Sequence, residues 1–410
     1  MQSDSLLHVD LAAIGRNAAA FKRLVGVDTA CCGVVKADAY GLGAVRVSGA
    51  LMDGQVDMLA VFRVEEALEL LREQVGVPLL VLGPARGLSP VHPLTSPLLD
   101  RRVELVVHDL RQLREVEDIA QAGSSPIRVH VEVDVGMRRG GVAVEEAQTL
   151  LKAVMACSTV ELAGVMAQFT AAGHDGDRTA VEDARLRTVA GSIGLPDGCR
   201  VHAAATAACV RDSSLHHDLI RFGMGWIGTV PGDPALARAM SPHLTPAVRW
   251  RSTITKVHRI QAGAAVGYGG LWTAAADTTI GIVPVGYADG IPHTAGATSE
   301  AAGASVAVMS QRGRHDAPAR FAPIVGAVNM DQCAIDLGDA GSGAEAFVGR
   351  DVEMISATHT GPTSLAGFSQ ACGVSPHQLL VGIGHRVRRV SVSRLDSVAD
   401  HADWPAAEAV

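Results

Sequence analysis

The chain has 410 residues, 48% of them hydrophobic and 19% charged, with a formal net charge of -8. That length holds one large and one smaller domain with ample core, and the balance is globular rather than disordered. The acidic excess argues against a general nucleic-acid binder, no run of about 18 apolar residues is present for a membrane span, and Met1-Gln2-Ser3-Asp4 lacks the basic and apolar regions of a signal peptide.

Between residues 31 and 225, apolar strand-like runs alternate with helical patterns. The strand candidates are 31–36, 58–63, 78–83, 103–109, 127–135, 161–169, 199–204 and 219–225. Amphipathic helices are predicted between several of them, at 64–74, 110–122, 144–155 and 178–193. Eight strands with helical crossovers predict an α/β fold, a (β/α)8 barrel over residues 10–245. A doubly wound open sheet is the competing reading; against it, the one glycine-rich turn follows a lysine and has no G-x-G-x-x-G spacing. After Pro246 the texture changes to short strands punctuated by glycine, at 247–258, 267–272, 279–285, 304–309, 323–327, 333–337 and 351–355, with one helical pattern near 364–372. These predict a mostly-β domain over 246–395, with the boundary near Thr245 and a frayed tail over 396–410.

In a barrel, chemistry gathers at the carboxyl ends of the strands. Lys36 ends the first candidate strand, Arg139 follows the fifth, Gln168 ends the sixth, Thr206 follows the seventh and Arg221 lies in the eighth. Lys36 closes a short apolar run and glycines follow it. Burying an ammonium there lowers its pKa, and the resulting amine is a nucleophile that can hold an aldehyde cofactor as a Schiff base. The alternative is a lysine that snorkels to solvent. Lysine is scarce: only Lys22, Lys36, Lys152 and Lys256 occur among 35 basic residues, so a lysine kept beside a glycine turn stands out. The seven cysteines show no CxxC pair, and most lie in apolar runs, which reads as buried thiols of a reducing, cytoplasmic compartment. For a metal, His216-His217-Asp218 is the one candidate, and a solvated loop accounts for it better.

The run Val34-Val35-Lys36-Ala37-Asp38-Ala39-Tyr40-Gly41-Leu42-Gly43 resembles the pyridoxal-phosphate attachment site of the alanine racemase family, V-V-K-A-N-A-Y-G-H-G, with Asp38 where Asn is usual and Leu42 where His is usual. Further motifs resemble the family in order. Glu132-Val133-Asp134-Val135-Gly136-Met137-Arg138-Arg139-Gly140-Gly141 is similar to K-V-D-T-G-M-G-R-L-G, and His202-Ala203-Ala204-Ala205-Thr206-Ala207 to H-A-A-N-S-A. In the second domain, Val266-Gly267-Tyr268-Gly269 resembles V-S-Y-G, Val283-Pro284-Val285-Gly286-Tyr287-Ala288-Asp289-Gly290 is a further match, and Met330-Asp331-Gln332 resembles the family's M-D-Q. Residues 3–9 resemble its opening segment and are expected as an edge strand of the second domain.

The resemblance implies an amino-acid racemase that removes a proton from one face of Cα and returns one on the other, with Lys36 and Tyr268 as the two bases. It implies pyridoxal 5'-phosphate contacts from Lys36, Tyr40, Arg139, Thr206, Arg221, Gly223, Met224 and His385. Substrate contacts fall to Arg139, Tyr287, Met330 and Asp331, and no metal is called for. Arg139 falls on the arginine that donates to the phenolic oxygen, Thr206 on the phosphate-holding hydroxyl (a helix N-cap is a compatible reading), and Arg221 on the arginine facing the pyridine nitrogen. Because an arginine does not give up its proton, the ring is a weaker electron sink than with an acid there. The family's tyrosine comes from a partner subunit, so a homodimer with shared sites and a small amino-acid substrate are implied. Three positions depart from the pattern: Glu132 for a lysine that is carbamylated in many members, Gln168 for a histidine, and His385 for a tyrosine. Glu132 is expected to brace Arg139, and the changed site predicts a polar or larger substrate such as serine. Epimerases, decarboxylases, aldolases or dehydratases of related architecture, and a non-catalytic cofactor carrier, are the alternatives.

Overall fold

The computed structural model describes residues 5–121, 123, 125–310 and 318–395, excluding the side chains of 318 and 319. The tail expected over 396–410, like the first residues of the 3–9 strand, lies outside the described residues. The chain divides into two compact units, residues 14–244, and residues up to 13 together with those from 245 onward.

In the first unit the apolar runs form parallel strands: β2 (Ala30–Val34), β3 (Met58–Val61), β4 (Leu79–Val81), β5 (Val103–Val107), β6 (Ile127–Asp134), β8 (Val160–Met166), β9 (Arg200–His202) and β10 (Leu219–Phe222), with the short β7 (Val142–Ala143) paired to β6; β1 (Leu6–Asp10) belongs to the other unit. The ladder order is β10-β2-β3-β4-β5-β6-β8-β9. At the seam Arg221 N donates to Ala204 O (2.9 Å) and Asp218 N to Val201 O (3.0 Å), which brings the ends of the ladder together into a nearly closed barrel. Strands β3, β4 and β5 are buried along their whole length, because helices cover one face and the barrel interior the other, so they read as continuous rather than alternating apolar runs.

The predicted helices appear at Val64–Arg72, Leu110–Ala120, Val144–Ala156 and Gly176–Gly191. Caps set their starts. The Asp109 carboxylate accepts from Gln112 N (2.8 Å) and that of Asp175 from Arg178 N (2.9 Å), so the fourth helix begins two residues before its predicted start. No described helix is long and apolar enough to cross a membrane.

The second unit is built on a sheet ordered β12-β15-β18-β17-β16-β19-β11-β1-β20: β11 (Val248–Thr253), β12 (Lys256–Ile260), β15 (Thr278–Val283), β16 (Ser305–Met309), β17 (Pro318–Val325), β18 (Cys333–Asp336), β19 (Asp351–Ile355) and β20 (Arg388–Val392). A separate two-stranded ribbon pairs β13 (Ala265–Val266) with β14 (Trp272–Thr273). Two expectations change here. The N-terminal strand is not an edge: β1 runs antiparallel to β11 on one side and parallel to β20 on the other, and β20 takes the edge. Residues 267–272 are not a continuous strand; Gly267, Gly269 and Gly270 have φ of 77°, 73° and 56°, and these left-handed values break the run into a short turn, Tyr268–Gly270, between the two ribbon strands.

Inside the barrel, a Cβ on Gly164 of β8 would run into the ring of His130 and the carbonyl of Arg200. Gly164→Ala is therefore expected to destabilise the protein by about 1–3 kcal/mol, the range for overpacking a filled core, read as a lower thermal midpoint. An unchanged midpoint would mean that the His130 ring does not occupy this space.

Candidate active site

Lys36 leaves β2 at its carboxyl end, and the four residues after it adopt left-handed backbone: Ala37, Asp38, Ala39 and Tyr40 have φ between 51° and 58°. For non-glycine residues each costs roughly 1–2 kcal/mol relative to the right-handed form, so a single turn of this hand needs fixing from outside. The Glu66 carboxylate accepts from Ala37 N (2.5 Å) while also capping its own helix through Phe62 N and Arg63 N (2.8 and 2.9 Å). Asp38, where the motif has Asn, accepts from Ala44 N (2.6 Å) and caps the helix Ala44–Asp53. Tyr40 is buried, its ring 5.6 Å from that of Trp226, and Trp226 Nε1 donates to Val34 O (3.0 Å) at the end of the strand. The turn thus clamps the backbone that carries Lys36. Burial is the largest influence on the amine and lowers its pKa; the Arg139 guanidinium adds to this, Glu66 opposes it, and Arg221 lowers it further.

Opposite the turn, Gly223 N and Gly225 N both donate to Thr206 Oγ1 (3.2 Å each), and a Cβ on Gly223 would meet the Tyr40 hydroxyl. Buried Thr206 is not the N-cap of its helix; Ala205 is, and the Thr206 hydroxyl points instead to the amides that begin the short helix Met224–Ile227. The amide converging beside that of Gly223 is from Gly225 rather than Met224, the buried residue between them. Both amides end on the hydroxyl oxygen itself, and a hydroxyl and amides gathered this closely are donors from which a phosphate can accept.

Arg221 is buried within the barrel, and burial lowers its pKa. Among the described residues it has no contact ion pair. Its Nη1 donates to His202 Nδ1 (2.7 Å) and His202 O (3.2 Å), and its Nη2 to Ala167 O (2.8 Å) and Gln168 Oε1 (3.1 Å). The Gln168 amide therefore holds this arginine directly.

Glu132 departs from expectation. Its partner is His108, whose Nδ1 lies 3.0 Å from Glu132 Oε2, and Gly141 N also points at Nδ1 (3.0 Å). Arg139 stands exposed on the loop beyond β6 with no hydrogen bond to Glu132 among the described residues. His108 lies half-buried beside the Glu132 carboxylate.

The second unit, taken by itself, gathers Tyr268, Tyr287, Met330 and Asp331 around a cavity of about 820 Å³, with His293 and Asn329 also on its wall. Tyr268 is 77% exposed, Met330 53% and Tyr287 44%. Gly286 allows the close approach that builds this wall: a Cβ there would strike the carbonyls of Asn329 and Met330, while Tyr287 N and Ala288 N donate to those same oxygens (3.0 Å each). Arg386 holds Asp331 (2.7 Å) and Asp289 (3.3 Å); exposed His385 precedes it in the chain and is not on the cavity wall. Among the described residues no cluster of His, Cys, Asp and Glu is arranged for a metal. His216 and His217 are not a solvated loop: His216 Nε2 meets Cys209 O (2.8 Å) and His217 Nε2 meets Asp183 Oδ1 (2.6 Å).

The sequence profile of the alanine racemase N-terminal domain matches residues 9–231, and that of the alanine racemase C-terminal domain matches residues 247–391. The chain belongs to the alanine racemase family. It is 30% identical over 389 residues to an alanine racemase of Chlorobaculum tepidum, covering 94% of both chains. Its structure is similar to an alanine racemase from D-cycloserine-producing Streptomyces lavendulae, with a TM-score of 0.83 at 25% identity over 98% of this chain and 100% of that one. It is also similar to the biosynthetic alanine racemase of Pseudomonas aeruginosa, with a TM-score of 0.79 at 29% identity over 95% and 99% of the two chains.

Against the family's motifs, sequence reasoning missed Glu66, His108 and the polar residues deep in the barrel, Glu104 and His130. Glu66 had a signal, an acid three residues into a helix start; Glu104 had one too, a lone carboxylate inside an apolar strand. The displaced amine of Lys36 leads to a direct test. Burial and the cationic neighbours disfavour its ammonium, so the neutral form gains as pH rises sooner than in an ordinary lysine. Competitive labelling with a trace amine reagent across pH, read by peptide mapping, is expected to give Lys36 a midpoint below that of a free lysine amine; an ordinary midpoint would contradict the clamped, enclosed geometry.

Proposed function

We propose that this chain interconverts L- and D-amino acids with two bases, Lys36 and Tyr268, working on opposite faces of one Cα. Family membership makes it an isomerase that uses pyridoxal 5'-phosphate. The residues present suit that group: an amine of lowered pKa, a hydroxyl with converging amides, and a buried guanidinium beside them. Lys36 would hold the carbonyl carbon, Thr206 with Gly223 and Gly225 the phosphate, Arg139 the phenolic oxygen, and Arg221 would face the ring nitrogen; Tyr40, Met224 and His385 complete the proposed contacts. When bound, the cofactor supplies an electron-accepting ring that eases loss of the Cα proton.

The observation that carries this reading is Lys36: an amine at a strand's carboxyl end, on a clamped turn, its pKa lowered chiefly by burial and then by nearby guanidiniums. A neutral amine accepts a proton, and once charged it can return one. Arg221 only donates, so it cannot pass a proton to a ring nitrogen as an acid would. Tyr268 would return the second proton, its exposed phenol supplied by the second domain of a partner copy in a homodimer. The exposed Tyr268, Tyr287, Met330 and Leu271 support such an association, since apolar surface grouped on one wall is suited to burial against a partner. Tyr287, Met330, Asp331 and Arg139 would meet the substrate. The polar wall, with Asn329, His293 and Asp331, supports a side chain larger or more polar than methyl, such as that of serine. Seven free cysteines, with Cys31 pushed up to about 12 chiefly by burial, support a reducing, cytoplasmic setting.

Cα deuterium exchange across the common amino acids is expected to show exchange with inversion, strongest on a polar substrate. Tyr268→Phe should lower kcat by about 10²–10⁴-fold, the usual contribution of a positioned acid or base, while leaving cofactor bound and exchange from one enantiomer intact. Borohydride reduction should fix the cofactor to Lys36, and solution mass should give two chains. Exchange from both enantiomers unaffected by Tyr268→Phe would remove the two-base reading.

A further inference from the structure

Every hydrogen bond of the Arg221 guanidinium among the described residues goes to a neutral acceptor, and one of these acceptors begins a longer row. The row runs through two buried histidines to a carboxylate. His202 Nδ1 accepts from Arg221 (2.7 Å), His202 Nε2 lies 2.8 Å from His130 Nδ1, and His130 Nε2 lies 2.6 Å from Glu104 Oε2. The other Glu104 oxygen is held by Arg128. All of Glu104, His130, His202 and Arg221 are buried, and they come from four strands, β5, β6, β9 and β10.

Only one arrangement of protons satisfies this row. Arg221 can only donate, so His202 Nδ1 is bare and the His202 proton sits on Nε2. That proton is given to His130 Nδ1, which is therefore bare as well, and the His130 proton sits on Nε2 and goes to Glu104. Glu104 must then be an ionised acceptor. Burial alone raises the Glu104 pKa, but the His130 bond and the Arg128 charge outweigh it and leave it lowered; His202 is held neutral, its pKa well below the usual value because of burial and the adjacent Arg221. The missing Cβ of Gly164 leaves the space that the His130 ring occupies.

We propose that Glu104 is a positioning residue: acting through His130 and His202, it sets the direction of every proton in the row and so presents a lone pair that holds the Arg221 guanidinium in place. The catalytic consequence rests on the racemase reading above; the proton pattern does not. Selective 15N-histidine NMR of the full-length protein, with and without cofactor, tests the pattern, and kcat and KM of two variants test its use. The wild type is expected to show His130 and His202 both neutral and protonated on Nε2. Glu104→Leu removes the acceptor: the His130 signal should lose its single tautomer, and kcat should fall about tenfold, as for a displaced active-site group, with KM changed by less than about twofold. Glu104→Gln keeps an acceptor oxygen without the charge and should restore both. A proton on His202 Nδ1 in the wild type overturns the proposal, whether or not the Leu variant folds. So does a folded Glu104→Leu protein with unchanged tautomers and kcat, or a loss that Glu104→Gln does not reverse. A wild type with the expected tautomers but no Cα exchange would instead sink the racemase reading and leave the proton row standing.

Discussion

A guanidinium placed inside a ring of apolar strands loses its water, and the barrel must answer it with oriented acceptors. Arg221 receives them from three places: the backbone and side chain just past β8, the ring and carbonyl of His202 on β9, and the carbonyl of Ala203 that follows it. Because these acceptors carry no charge of their own, Arg221 stays strongly positive toward the barrel mouth. Burial lowers the Lys36 pKa most, the Arg139 guanidinium adds to this, Glu66 opposes it, and Arg221 adds the smallest of these contributions. One buried cation thus shapes the chemistry of the neighbouring nucleophile, and its own placement depends on the strands closing in the right register.

The left-handed turn after Lys36 shows the same economy of anchoring. Four residues in a disfavoured backbone region persist only where the surroundings over-determine them. Asp38 ties the turn to the next helix start, Glu66 ties it to the one after, and the Tyr40 hydroxyl fills the space beside Gly223. The lysine is therefore presented by a firmly held mount, which suits the single-face role proposed for it.

How much of this was legible in the sequence follows from the range of each interaction. The barrel strands were readable because parallel strands covered on both faces are short unbroken apolar runs, and 103–109 or 127–135 stand out against their amphipathic neighbours. The glycine-broken ribbon around Tyr268 was misread as a strand, since alternation looks alike whether or not left-handed glycines interrupt it. Lys36, Thr206 and Arg221 could be named from motifs and strand ends. The partner of Glu132 could not: His108 is adjacent only because β5 and β6 are neighbours, and nothing local announces it. The same holds for Glu104, whose carboxylate gains meaning only when four strands are assembled.

The position of β1 carries a consequence for how the molecule is made. Residues 6–10 precede the barrel in the chain, yet they are sandwiched between β11 and β20, which both follow it. This segment must wait, unpaired on both sides, while the barrel of residues 14–244 can already form, and on one side until β20 is made. Completing the second sheet is thus a late event, so nascent-chain arrest before β20 would leave a finished barrel and a second sheet in which β1 lacks one of its two neighbours.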